Sequence, residues 1–77
     1  MFAINHDSEN DVLYIGIGDR SNSYGDDDDD GIIILRDADT RELTGITILD
    51  FLYKYQNKEL EHLPIRINFE RDVIPLL

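Results

Sequence analysis

Along most of the chain, apolar and polar residues alternate in short runs with the two-residue period of a strand that turns one face to a core. Phe2, Ile4 and His6 alternate with Ala3 and Asn5, and turn formers follow at Asp7, Ser8, Glu9, Asn10 and Asp11. Residues 12–17 predict a second strand, with Leu13, Ile15 and Ile17 on one face and Val12 and Tyr14 on the other. Gly16 and Gly18 mark a bulge or a close backbone approach at its far end. Residues 19–30 (DRSNSYGDDDDD) then break the pattern with turn formers and charge. Adjacent aspartates repel one another too strongly for a stable strand or helix, so a mobile loop or the frayed end of a hairpin is expected there.

Ile32, Ile33, Ile34 and Leu35 are apolar on both sides of the pleat, which predicts a central strand covered on both faces. Residues 37–42 supply the next turn, and residues 43–49 a fourth strand in which Gly45 suits a bulge or a crowded backbone contact. After Ile48 the period changes. Asp50 is placed to cap a helical turn whose Phe51 and Tyr55 stand four apart and cover the sheet, leaving Tyr53 and Lys54 facing water or a partner. A second helical turn over 58–63 is expected, capped by Asn57 and ended by Pro64. Ile65, Ile67 and Phe69 alternate with Arg66, Asn68 and Glu70, the clearest strand signal in the chain. The apolar tail 73–77 is expected to pack on this domain or on a neighbouring subunit.

These elements predict an α+β fold: a four-stranded antiparallel β-meander with a short C-terminal helical segment and a late extra strand. One domain over 1–77 accommodates them, with a sheet core in 1–50, helical turns in 51–63 and the late strand and tail in 64–77.

Composition sharpens this picture. A chain of 77 residues has a marginal core, burying about 60–65% of its unfolded surface. Without cysteine it has neither disulfides nor a thiolate zinc site to add stability. A homodimer or a tight hetero-complex is the remaining expectation. No signal-like segment opens the sequence and no apolar run is long enough to span a membrane, so a cytoplasmic protein is expected. Seventeen acidic against seven basic residues give a formal net charge of −10. Such a surface repels nucleic-acid phosphates and anionic membranes, and it steers in a basic protein.

Candidate chemistry is sparse. The aspartate run 26–30 offers oxygen ligands to a hard cation, but tight calcium loops space their ligands around a turning glycine. Asp37 and Asp39 begin like such a loop, yet Arg41 and Glu42 occupy its turn and Ile48 stands where its last carboxylate belongs. His6 and His62 lie far apart, Ser21 and Ser23 have no nucleophile motif around them, and no glycine-rich phosphate loop is present. No metal, cofactor or catalytic residue is therefore assigned, and the chain is read as not an enzyme. Asp26, Asp27, Asp28, Asp29, Asp30 and Tyr53 are the candidate partner-binding residues.

Several segments resemble a known family. Residues 7–15 (DSENDVLYI), 30–34 (DGIII), 39–45 (DTRELTG) and 45–50 (GITILD) are similar, in order and spacing, to the opening, strand and turn motifs of domain of unknown function 2283. The likeness to this family of small bacterial proteins covers about residues 5–51, and the C-terminal third is not covered. It implies a short, sheet-rich, acidic protein, and an antitoxin role by association, since some members are encoded beside small toxin-like proteins. Ser8 stands in place of the family's proline, Arg41 in place of a turn glycine, and Leu35 and Thr47 where acidic residues are common. The expected function is thus a non-catalytic protein–protein interaction module, antitoxin-like, that neutralises a basic partner. The alternatives are a homo-oligomeric structural protein, with the late strand and tail as its contact, or a divalent-metal binder using the aspartate loop.

Overall fold

A computed structural model describes residues 3–27 and 30–77. Five strands form one antiparallel sheet: β1 (Ala3–Asp7), β2 (Val12–Gly16), β3 (Ser23–Asp27), β4 (Ile32–Asp37) and β5 (Leu43–Leu49). Their order is β1-β2-β5-β4-β3. A β1–β2 hairpin and a β3–β4–β5 meander are therefore joined through the β2–β5 pair. The seam is set by matching apolar residues, with Leu13 opposite Ile48 and Ile15 opposite Ile46. This places β5 at the centre, where the four-stranded meander would have put it at an edge.

The remaining strand comes from a different segment than the alternation predicted. Ser23–Asp27 pairs with β4, opposing Asp26 to Ile34 and Asp27 to Ile33. Two aspartates of the run thus lie in a strand after all. Their cross-strand neighbours are uncharged, β3 is an edge strand, and successive side chains point to opposite faces, so repulsion stays small. Residues 65–68 pair with no strand among the described residues, and Phe69 opens the short helix α2 (Phe69–Asp72). Asn68 caps it by accepting from the Arg71 N–H at 3.0 Å. Here the alternation reflects packing: Ile65, Ile67 and Phe69 lie against the core while Arg66, Asn68 and Glu70 face water.

Leu13, Ile15, Ile32, Ile46, Ile48, Phe51, Leu60 and Val73 form the buried core. It sits between one sheet face and a layer built by α1 (Phe51–Gln56), α2, a closing 3-10 turn (Ile74–Leu76) and their connections. Each such aliphatic side chain, fully buried, contributes about 1.5–3 kcal/mol of transfer free energy. Phe51 links the layers, its ring 5.9 Å from Tyr55, 5.6 Å from Phe69 and 6.0 Å from the His6 ring. Residues 57–62 make turns instead of a second helical turn, and Asn57 closes α1 by donating its side-chain amide to the Tyr53 carbonyl at 2.7 Å. Of the apolar tail, Val73 is fully buried, whereas Leu76 and Leu77 stay exposed. Among the described residues no helix is long and apolar enough to cross a membrane.

Candidate partner-binding surface

The sheet has a second face. Alternation places Asp7, Val12 and Leu49 in one cross-strand row, and Asn5, Tyr14, Thr47, Ile33 and Asp27 in the next. A third row holds Ala3, Gly16, Gly45, Leu35 and Gly25. None of the apolar residues in these rows belongs to the core or packs against it. Tyr14 is 39% and Leu49 38% exposed. The two-sided apolar pattern of β4 is therefore not that of a strand covered on both faces. Ile32 and Ile34 serve the core, while Ile33 and Leu35 lie on an open face.

One side chain crosses that face. Arg20, in the β2–β3 connection, lies over the third row. A Cβ at Gly16 would stand 2.6 Å from its guanidinium, and one at Gly45 3.3 Å from its Cδ. The two glycines oppose each other and form a shallow trough for the arginine stem. Gly45 has a stricter reason to lack a side chain, since its Cβ would meet the Ile15 carbonyl oxygen at 2.9 Å. The expected crowding at Gly45 is thus real, and the β4–β5 register also shifts beside it, between Leu35 and Arg36. Beside Arg20 an open depression of about 370 Å³ is lined by Ala3, Ile4, Asn5 and Tyr14.

Asp27 of the aspartate run ends a row of this face, while Asp26 beside it, opposite Ile34, points to the covered side. Asp26 and Asp27 are exposed on edge strand β3, and Asp30 is exposed in the turn before β4. Asp28 and Asp29 lie outside the described residues. Gly31, at φ +80°, completes the turn and accepts from the Leu49 N–H at 2.8 Å. Lys54 comes up against this corner from α1. It is only 6% exposed, its ammonium donates to the Leu49 carbonyl, and its Nζ lies 3.1 Å from where a Gly31 Cβ would stand. Lys54 therefore turns inward, contrary to its reading as a solvent-facing residue, because the sheet corner supplies an acceptor. Tyr53 does face water, with 63% of its surface exposed on α1.

A second polar constellation is structural in its geometry. His6 Nε2 lies 2.8 Å from Asp11 Oδ1, and Asp11 Oδ2 accepts from the Leu52 N–H at 2.9 Å. The Asp11 carbonyl also accepts from the Phe51 N–H at 3.1 Å. Asp11, and not Asp50, thus satisfies the first amides of α1, while Asp50 adopts a left-handed conformation and makes no side-chain cap. The other turn aspartates act locally. Asp7 accepts from the backbone N–H groups of Glu9 and Asn10 and from the Asn10 side chain, and Asp37 from those of Asp39 and Thr40. The Asn10 side-chain amide is the chief cause holding the Asp7 carboxyl below its ordinary pKa, and the Thr40 N–H does the same for Asp37. Among the described residues no three His, Asp or Glu side chains converge as they would around an ion.

Compared with family models, curated proteins and solved structures, the chain matches none. Sequence reasoning singled out the acidic run and Tyr53 but missed the open sheet face. Its residues were visible as the second apolar register of β2 and β4 together with two glycines, a pattern that buried strands share.

Proposed function

We propose that this chain is a non-catalytic interaction module that recognises a basic protein, in the manner of an antitoxin neutralising its target. The observation that carries this reading is the placement of charge. A net charge of −10 is joined to exposed aspartates at one edge of the sheet, Asp26 and Asp27 on β3 and Asp30 in the turn before β4, and Asp27 ends a row of the open apolar face. Acidic fields of this kind raise association rates with cationic partners and lose that effect as salt rises. Resemblance to domain of unknown function 2283 supports the antitoxin-like form of the proposal, and with it a bacterial, cytoplasmic setting. Tyr53, an exposed aromatic on α1, supplies a second point of contact.

Co-expression with the product of the adjoining gene tests this directly. The expected result is a complex that survives purification at low salt, dissociates at high salt and relieves any toxicity of that product. Finding neither a complex nor relief would remove the proposal.

A further inference from the structure

We propose that the open sheet face is the docking surface for a cationic amphipathic helix of the partner, laid across the strands with its apolar side on Val12, Tyr14, Ile33 and Leu49. This rests on the reading of the chain as an acidic interaction module, and it names the surface and ligand chemistry that the reading leaves open.

Three observations converge on it. First, a sheet face rich in apolar residues gains stability when another layer covers it. Here one face has its covering layer, whereas the apolar residues of the other stay outside the core cluster. Second, the dimensions suit one helix. The Arg20 side chain already lies over the glycine row, and the other two rows stand about 7 Å apart, the width of one helix face. Crossing five strands takes about 24 Å, or roughly sixteen helical residues. Third, the border of these two rows is acidic. Asp7 and Asp27 end them on β1 and β3. Asp30 and Asp50 adjoin Gly31 and Leu49, which are hydrogen-bonded to each other. A helix with lysines or arginines flanking an apolar stripe meets both features.

A second copy of this chain fits less well. Stacking two such faces sets like charge against like charge, bringing two chains of charge −10 together along their acidic borders.

The test uses the full chain and two fluorescent sixteen-residue peptides of identical Leu/Lys composition. One is patterned as an amphipathic helix and the other scrambled, and binding is followed by anisotropy. Tyr14→Glu and Leu49→Glu, singly and together, add negative charge while removing apolar surface at positions already more than one-third exposed. Circular dichroism confirms their fold, and Leu76→Glu, exposed on the covered side, is the control. The expected result is that the patterned peptide binds about tenfold or more tighter than the scrambled one. The double variant should lose that margin despite its added charge, and Leu76→Glu should keep it. Equal binding of both peptides, weakened only when Asp26, Asp27 and Asp30 become Asn, would overturn this inference and leave the acidic-module reading standing. Binding of neither would overturn both. Sedimentation of the free chain as a dimer dispersed by Tyr14→Glu would assign the face to a second copy and overturn the helix proposal.

Discussion

Asp11 closes the helix that begins forty residues after it: its Oδ2 accepts from the Leu52 N–H at 2.9 Å while its Oδ1 lies 2.8 Å from His6 Nε2. The first hairpin turn and α1 are thereby fastened together, and Phe51 is held at the centre of the core. Asp11 also has φ +53°, a conformation that Asp and Asn tolerate better than most residues. Asp11→Ala removes the cap and the His6 partner and strains the backbone, so it should destabilise the chain by about 2 kcal/mol. Asp11→Asn keeps an acceptor and the conformation, and should lie within about 1 kcal/mol of the native chain. Urea titrations followed by far-ultraviolet circular dichroism would separate the two.

The glycine pair of the trough should respond asymmetrically. A methyl group at Gly45 meets a backbone carbonyl that cannot step aside, so Gly45→Ala should cost about 1–3 kcal/mol. At Gly16 it meets the flexible end of Arg20, so Gly16→Ala should displace the arginine and change stability by about 0.5 kcal/mol or less. Equal losses at both positions in thermal melts would contradict this geometry.

Among the described residues three further positions hold left-handed backbone without a glycine: Arg41 at φ +64°, Asp50 at φ +52° and Lys58 at φ +57°. Arg41→Gly and Lys58→Gly should each raise stability by about 0.5–1 kcal/mol, read as a higher urea midpoint at unchanged slope.

Acid should destabilise the fold through its turns. The hydrogen bonds to Asp7 and Asp37 lower both carboxyl pKa values in the folded chain relative to the unfolded one. Their contribution is complete above the ordinary carboxylate pKa, near 4, and is lost as pH falls through the lower folded-state values. Stability should therefore be flat from about pH 7 to 5 as far as these two groups decide it, and fall below about pH 4. Asp7→Asn and Asp37→Asn should flatten that acid limb.

Much of the fold was legible because local chemistry and tertiary packing agree over residues 3–16 and 32–56. Turn aspartates, alternating strands and the Phe51–Tyr55 pair each have one favourable arrangement. What was not legible depends on partners distant in sequence. β3 has no apolar alternation of its own and becomes a strand only because β4 offers it a pairing edge. The sheet order depends on β5 matching β2 across the Leu13–Ile48 and Ile15–Ile46 pairs. Residues 65–68 show a strand's alternation, yet two half-buried isoleucines on an extended covering segment produce the same pattern. Of the candidate site, the acidic run could be read from composition. The open sheet face could not, since apolar residues on both sides of a strand do not reveal which side finds a cover.

An amide chemical-shift map would show directly whether the sheet has one covered and one open face. With ¹⁵N-labelled chain and the patterned Leu/Lys peptide, the largest perturbations should fall on Val12, Tyr14, Ile33, Thr47 and Leu49, with α2 and the closing turn little changed. Perturbations confined to the aspartate hairpin, or centred on α1 and α2, would contradict that arrangement.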